Sequence, residues 1–521
     1  MRRPAPPVQV PTARMPAVRT PVPRLLALLP LLAVLAVLAA LSASLVGDRT
    51  AFGDEALYLS AGHLEWSHWL HGTQIPDYQT VFSGAPVLYP PVGAIADSIG
   101  GLAAARLLSL VFMLGVTAFL WGTATRLLAD KRAAFFAAAL FAVLGPTLHL
   151  GSFATYDALA LLLLAAATWC AAGARCAAGA RAGGNATRWM IAAGLLLALA
   201  NATKYATALY DPTVVGVAIL SSWSCAGRRA ALLRAALLAG AAAATLGALL
   251  LLGGPGYLTG IRVTTTGRVD GTDTAALVFA DAWSWTAVVA VPAVGGAIVG
   301  VIVGAAGGAV RRRWPQALLL AVLALSALLA PADQARIQTT TSLDKHVDFG
   351  AWFAAIAAGY LLSWLLGRLL SWLPSRLPRR RLALAAASAA SLAALIPVAA
   401  LGLAQAQAMI DWPDESALVT VVRPLAAHGG HFLVETTDVL QYYLPSTTWR
   451  QWSDTASSDP QHYQRAIARH YYSLVILSFT QTLATDDVIA VELAGNSGYS
   501  LVARVHSGTT VFYVWEYTGR V

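Results

Sequence analysis

Long apolar runs recur along most of this sequence, and they constrain its fold more than any other feature. A run of about 20 apolar residues matches the thickness of a bilayer core, and the first one, at 25–45, contains no charged residue. The whole chain is 57% hydrophobic and only 12% charged. We therefore predict a polytopic α-helical membrane protein and exclude a soluble one. Its eleven candidate spans are 25–45, 102–124, 133–150, 156–174, 189–209, 212–224, 234–252, 285–308, 315–331, 349–367 and 382–403.

The distribution of basic residues predicts how these spans are oriented. If the N-terminus lies inside, the inner segments hold most of the Lys and Arg residues but only one acidic residue, Asp130. Short loops rich in Lys and Arg stay on the inner side of a membrane. We therefore predict an N-in, C-out protein of the plasma membrane. The same distribution explains the net charge of +9 without a nucleic-acid partner.

Composition divides the chain into three parts. Residues 1–24 form a basic, proline-containing tail on the inner side, which we expect to be disordered. Residues 25–407 form the transmembrane domain, with a large first outer loop at 46–101. From about 408 the composition changes, and β-rich runs alternate with helix-like ones. Residues 408–521 are therefore predicted to be a small extracytoplasmic α/β domain.

Several ionisable residues lie where predicted spans meet the outer surface. Asp54 and Glu55 follow the first span in "FGDEALYLSAGH", Asp157 opens the fourth span, and Lys204 ends the fifth. Charges at this depth are usually partnered or functional. Three further basic or imidazole side chains precede the tenth span: Arg336, Lys345 and His346.

This grouping of carboxylates and cations suits sugar transfer from a lipid-linked phosphate. A carboxylate can remove the proton of an attacking hydroxyl, and cationic side chains can bind a phosphate and stabilise its charge as it leaves. Structural roles are the alternatives for single residues. Asp157 is also suited to cap its helix, Lys204 to extend toward the headgroups, and Asp54 to complement a helix N-terminus.

A metal site is not predicted from the histidines of the first outer loop. His68 and His71 are one helical turn apart, but no clear third ligand accompanies them. A divalent cation held by the outer carboxylates stays an open alternative.

The order of four motifs resembles the GT-C glycosyltransferases. These motifs are "GDEALYLSAGH", "YPPVG", "ATYDALALLLLAAATW" and "ATKYATALY". The pattern is most similar to that of the bacterial relatives of protein O-mannosyltransferases and of lipid A aminoarabinose transferases. The resemblance covers about residues 25–370. It implies a GT-C-like membrane fold and transfer of a sugar, with inversion, from a polyprenyl-phosphate carrier to an acceptor glycan, lipid or protein.

The resemblance also implies roles for individual residues. Asp54 is the expected general base, with Glu55 assisting or positioning it and Asp157 orienting the acceptor or a first-loop helix. Inverting transfer needs no enzyme nucleophile, and no cofactor is predicted. The expected donor-phosphate ligands are Lys204, Arg336, Lys345 and His346, and the expected substrate-binding side chains are Tyr58, Tyr89 and Tyr205.

Two other functions are compatible with the same residues. A multi-pass transporter uses membrane carboxylates to bind cations or to relay protons. A non-catalytic envelope-assembly or sensor protein would use its C-terminal domain to bind a partner. Convergence of Asp54, Asp157 and Lys204 on one outer cavity would favour the glycosyltransferase.

Overall fold

Helices account for most of the described residues before residue 410 in the computed structural model of the chain. The structure describes residues 28–47, 49–173, 183–306, 310–371, 379–456 and 459–519, so the predicted N-terminal tail at 1–24 lies outside the described residues. The helices in this part are α1 (Leu29–Ala43), α2 (Gly53–His71), α3 (Tyr89–Leu128), α4 (Lys131–Ala142), α5 (Gly145–Leu150), α6 (Tyr156–Gly173), α7 (Gly183–Thr203), α8 (Asp211–Ala226), α9 (Arg228–Thr264), α10 (Ala275–Ala306), α11 (Val310–Leu325), α12 (Leu329–Arg336), α13 (Leu343–Ser371) and α14 (Arg379–Met409).

The length and composition of these helices fit a multi-pass membrane protein. Among the described residues, seven helices are long and apolar enough to cross a membrane. Of the other predicted spans, 25–45, 212–224 and 382–403 coincide with α1, α8 and α14, and the span predicted at 133–150 is two helices, α4 and α5. It breaks because Pro146 lies in the first turn of α5, where proline starts a helix but cannot continue one. The count of eleven spans and the orientation stay predictions.

The predicted first outer loop contains the long helix α2, which packs against the start of α3. The approach is close, because a Cβ on Gly62 of α2 would stand 2.0 Å from the carbonyl oxygen of Pro90. The first part of α3 lies in the predicted outer loop. The helix bends into the span at Gly100 and Gly101, where Gly101 has a φ of +65° that favours glycine.

The C-terminal residues fold into the predicted α/β domain around one mixed sheet. Its strands are β1 (His431–Val434), β2 (Trp452–Asp454), β3 (Tyr472–Leu477), β4 (Tyr499–Ser507) and β5 (Thr510–Tyr517), in the order β2-β1-β3-β5-β4. The pairs β2–β1 and β1–β3 are parallel, and β3–β5 and β5–β4 are antiparallel. The helices are α15 (Ser416–Ala426), α16 (Asp438–Tyr443), α17 (Pro460–Ala468) and α18 (Leu483–Gly495).

Alternation along the strands gives this sheet two apolar faces. Phe432 and Val434 pack with α15, whereas Leu433 packs with α17 and α18, as the two-residue period of a strand requires. The short helix α16 joins this domain to the membrane helices, since the hydroxyl of Tyr442 donates to Asp97 at 2.6 Å and that of Tyr443 accepts from the backbone of Ala51 at 2.9 Å. The β-rich runs of the sequence correspond to β1, β3, β4 and β5, whereas α15, α16 and β2 were not predicted.

A buried ion pair ties the first loop to the helical bundle. Glu55 is completely buried, and its carboxylate accepts from Nε and Nη2 of Arg106 at 2.8 and 2.7 Å. The same carboxylate accepts from the backbone N–H groups of Phe52 and Ala154 at 3.0 and 2.7 Å. Glu55 thus holds together the start of α2, the span α3 and the segment that leads into α6.

We predict that Glu55→Gln destabilises the fold, because it leaves the Arg106 guanidinium buried without its counter-charge. Removing one partner of a buried ion pair costs about 3–5 kcal/mol. The expected result is a marked drop in the thermal unfolding temperature of the full chain in lipid nanodiscs. The double variant Glu55→Gln/Arg106→Met removes both charges and should recover part of the loss.

The matched control is Asp77→Asn, because Asp77 lies exposed in the same loop segment. A Glu55→Gln protein that unfolds at the same temperature as the Asp77→Asn control would contradict the assignment.

Candidate active site

The carboxylate next to Glu55 points in a different direction. Consecutive residues on a helix are separated by about 100°, so the burial of Glu55 turns Asp54 away from Arg106. Asp54 accepts from the ammonium group of Lys345 at 2.7 Å, and its side chain is 34% exposed. Lys345 comes from the first turn of α13 and is buried. This pair therefore brings the first loop and a late helix together.

A second ion pair lies close to the first. Lys204 donates to the carboxylate of Asp157, and both side chains are buried. Asp157 is the second residue of α6, and Lys204 follows the last residue of α7. The backbone at this point is held by the loop before α3, since Ala85 N–H donates to Ala202 at 2.7 Å and Tyr205 N–H donates to Ser83 at 2.8 Å. The position of the Lys204 backbone is thus fixed from two sides.

The two ion pairs border a cavity of about 760 Å³, which we call the basic cavity. Its wall includes four cationic side chains against the carboxylates of Asp54 and Asp333, so its net charge is positive. His346 also lines it and accepts from the amide of Gln334 at 2.7 Å. Part of the wall is apolar, as in Phe82 and Val263. The cationic residues are Lys204, Arg268, Arg336 and Lys345.

A second cavity of about 640 Å³ lies on the other side of the Asp54–Lys345 pair, and we call it the acidic cavity. Both residues of the pair, together with Ser342, line both cavities. The rest of its wall holds three more carboxylates, from Asp281, Asp344 and Asp411, as well as the ring of His149. Its aromatic side chains are Phe52, Phe153, Trp285 and Trp412.

Most of the residues predicted from the sequence meet at the basic cavity, which is lined by Asp54, Tyr58, Lys204, Tyr205, Arg336, Lys345 and His346. Asp157 reaches this wall through its contact with Lys204. Arg336 lies at the rim, 64% exposed, and donates to Asp333 at 2.9 Å.

Three predicted site residues line neither cavity: Asp157, which reaches the basic cavity only through Lys204, and Glu55 and Tyr89. Glu55 is buried in its pair with Arg106, where it fixes the start of α2 and with it the position of Asp54; its role in the reaction stays a prediction. Tyr89 is also completely buried, and it packs edge-on against Tyr58 with ring centroids 6.5 Å apart. Tyr89 is the first residue of α3, and it lies behind the cavity wall, not in it.

Sequence reasoning missed Arg106, Arg268 and Asp438. Arg106 lies inside an apolar span, where a lone arginine is itself a signal that a buried partner exists. Arg268 lies in a polar loop that gives no such signal. Asp438 is on α16, and its Oδ2 lies 3.9 Å from the place where a Cβ on Gly53 would stand. Burial, and next the negative charge of Asp54, raise the pKa of Asp438 to about 7, so the C-terminal domain brings a third carboxyl group close to Asp54.

The described residues offer no ready-made metal centre. Within the described ranges, no three His, Cys, Asp or Glu side chains are grouped as metal ligands. His68, one of the two histidines considered in the sequence, has its Nδ1 2.8 Å from the carbonyl oxygen of Thr73.

Part of the chain matches a known protein family in sequence. Residues 94–246 match the family model described as dolichyl-phosphate-mannose-protein mannosyltransferase. This region contains Asp157 and Lys204 but neither Asp54 nor Lys345. No curated protein matches the chain in sequence.

Solved structures of three glycosyltransferases share the fold. ArnT from Cupriavidus metallidurans, bound to undecaprenyl phosphate, aligns with a TM-score of 0.59 and 15% identity over 94% of this chain and 98% of that one. Archaeal oligosaccharyltransferase AglB from Archaeoglobus fulgidus, in complex with an inhibitory peptide and a dolichol-phosphate, aligns with a TM-score of 0.58 and 13% identity. The alignment covers 95% of this chain and 74% of AglB. Arabinofuranosyltransferase AftD from Mycobacteria aligns with a TM-score of 0.54 and 15% identity. The alignment covers 95% of this chain and 42% of AftD.

These likenesses confirm the resemblance that the motifs predict. At this level of identity the solved structures establish the fold. The family model adds a match in sequence that begins within α3 and ends within α9. The chain thus has the fold of the GT-C glycosyltransferases and resembles the protein O-mannosyltransferases and ArnT.

Proposed function

We propose that this protein is a membrane glycosyltransferase that moves a sugar from a polyprenyl-phosphate-linked donor to an acceptor hydroxyl on the outer membrane face. The observation that carries the proposal is the Asp54–Lys345 pair, which forms a common wall between a basic and an acidic cavity. One member of the pair is suited to accept a proton and the other to hold a phosphate. Asp54 and Lys345 each line both cavities, and the two substrates would occupy one cavity each.

The basic cavity suits the donor. Lys204, Arg268 and Lys345 supply the cationic donors that a phosphodiester oxygen prefers. The apolar part of the same wall, with Leu57, Phe82 and Val263, suits the first isoprene units of the carrier. Asp157 holds Lys204 in place through their ion pair, so we assign it the role of a positioning residue.

The acidic cavity suits the acceptor. Carboxylates such as Asp281 and Asp344 accept hydrogen bonds from hydroxyl groups, and the rings of Trp285 and Trp412 offer flat apolar faces for sugar or aliphatic groups. An anionic acceptor would meet four carboxylates against the single ammonium group of Lys345. We therefore propose a neutral or amine-bearing acceptor.

The reaction would begin with a change of partner at Lys345. In the unliganded protein its ammonium group is paired with Asp54. The phosphate of the donor competes for the same ammonium group, so donor binding frees the Asp54 carboxylate to contact the acceptor hydroxyl.

The transfer itself would be a single displacement at the anomeric carbon. Asp54 takes the proton of the acceptor hydroxyl as its oxygen forms the new bond to the sugar. The bond between the anomeric carbon and the phosphate oxygen breaks on the opposite side, which inverts the configuration. Polyprenyl phosphate leaves with the bonding electrons, and Lys204 and Lys345 stabilise its developing charge.

Two tyrosines would orient the donor. Tyr58 and Tyr205 both line the basic cavity. Burial, and next the charge of Asp54, hold the pKa of Tyr58 well above its usual value. Its hydroxyl therefore stays protonated and remains a hydrogen-bond donor at neutral pH.

The first test is transfer of a labelled sugar from polyprenyl-phosphate donors by the wild type and by Asp54→Asn in nanodiscs. Asn keeps the size of the side chain but cannot accept the proton. Loss of a positioned general base lowers the rate by about 100-fold or more. The control is Asp77→Asn, which changes an exposed acid of the same loop and should transfer at the wild-type rate. Equal transfer by the Asp54→Asn variant would show that the base lies elsewhere.

The assignment of the donor to the basic cavity and of the acceptor to the acidic cavity gives a second test. Arg268 lines only the basic cavity and Asp281 only the acidic one. Arg268→Gln should raise the KM for the donor by about tenfold, the effect of one lost charge-assisted hydrogen bond, and leave the acceptor KM unchanged. Asp281→Asn should raise the KM for the acceptor and leave that for the donor unchanged. Steady-state transfer with each substrate varied in turn measures both constants, and the opposite pattern would reverse the assignment.

A further inference from the structure

The largest of the cavities described here lies outside the proposed reaction site. It has a volume of about 1120 Å³ and is enclosed by α2, α3 and the C-terminal domain, so we call it the domain cleft. Its volume exceeds the range of about 300–1,000 Å³ that is typical of small-molecule pockets. The cleft therefore has room for a ligand of several linked units.

The cleft and the reaction site lie on different faces of α2. Asp54 and Tyr58 line the basic cavity, whereas Ser60 and His63 line the domain cleft. Ser60 and His63 are six and nine positions after Asp54 on this helix, so they point about 120° and 180° away from it. A ligand in the cleft would thus not contact Asp54, and the cleft needs an occupant of its own.

The floor of the cleft is a fixed polar network. Asp97 accepts from the hydroxyl of Tyr442 at 2.6 Å, and its other oxygen lies 2.6 Å from Nε2 of His63. At the rim, the indole N–H of Trp449 donates to the carbonyl oxygen of Gln74 at 3.2 Å, and Arg450 donates to the side chain of Gln74. These bonds hold the Trp449 ring in place before any ligand arrives.

Two polar side chains of the cleft wall have no partner of their own. The amide of Gln441 and the hydroxyl of Ser60 line the cleft, and neither side chain makes a hydrogen bond to another group within the described part of the chain. An amide offers both donors and acceptors. Flat aromatic faces beside neutral groups of this kind suit a ring that bears hydroxyls on its edge and C–H groups on its face.

The unpartnered polar groups of the cleft favour a neutral ligand over a lipid chain. A lipid chain would cover the amide of Gln441 without offering it a hydrogen bond, which costs free energy. The cleft also holds two cations and one carboxylate: Arg423 donates to the carbonyl oxygen of Tyr443 at 3.2 Å, Arg450 donates to Gln74, and Asp97 would repel an anion. An anionic glycan is therefore the alternative to test.

We propose that the domain cleft binds a neutral oligosaccharide, with sugar rings stacked on Trp449 and hydroxyl groups bound by Gln441 and Ser60. This binding does not depend on the transfer reaction. It would hold a glycan between the C-terminal domain and α2, on the far side of α2 from Asp54.

The test is direct binding to the full chain in nanodiscs prepared without sugar-based detergent. Saturation-transfer difference NMR is recorded with maltopentaose, cellopentaose and mannopentaose, and with pentagalacturonate as an anionic probe. We expect a signal from at least one neutral pentasaccharide and none from the anionic one. Trp449→Ala and Gln441→Ala should each weaken binding by about tenfold, whereas Trp449→Phe should retain most of it because the stacking face remains.

Control variants make the outcome decisive. Gln461→Ala changes an exposed glutamine of α17 that does not line the cleft, and it should bind as the wild type does. Asp54→Asn should also bind normally, so failure of the proposed transfer reaction would leave this result intact. Absence of binding by all three neutral probes would overturn the proposal. So would a preference for pentagalacturonate, or unchanged affinity in both Gln441→Ala and Trp449→Ala.

Discussion

The burial of Glu55 is the constraint on which the candidate site depends. Its carboxylate is the common acceptor for Arg106 and for two backbone N–H groups from separate segments of the chain. A charge in this position is tolerated only when its counter-charge and hydrogen bonds are complete. Meeting that condition fixes the start of α2 against α3 and against the segment before α6. Because α2 is helical, fixing Glu55 also fixes the direction of Asp54.

The adjacent carboxylates of Asp54 and Glu55 therefore lie in different environments. Glu55 is completely enclosed and has no contact with either cavity, whereas Asp54 is partly exposed at the boundary of both. The motif "GDEALY" cannot distinguish these two acids, since both stand in the first turn of the same helix. Only the position of Arg106, 51 residues later, decides which one is buried.

Much of the architecture was predictable from local patterns. Each apolar run predicted as a span coincides with a helix or, at 133–150, with two helices, and β-rich runs predicted four strands of the C-terminal sheet. Of the three residues expected to converge on one cavity, Asp54 and Lys204 line the basic cavity, and Asp157 contacts it only through its ion pair with Lys204. Features that depend on packing between distant parts of the chain could not be predicted from local patterns. These are the bend of α3 at Gly101, the short helix α16, and the position of Tyr89 behind Tyr58.

The arrangement of charges follows from where the site lies. Ionised groups near a bilayer are stable when they are paired, and here Asp54 pairs with Lys345 and Asp157 with Lys204. Paired charges are nearly neutral from a distance, yet a phosphate that enters the basic cavity finds two ammonium groups already in place. It needs only to displace a carboxylate, and the carboxylate it displaces from Lys345 is the one that borders the acidic cavity. The same pairing that allows these charges to be buried thus links donor binding to the release of a base on the acceptor side.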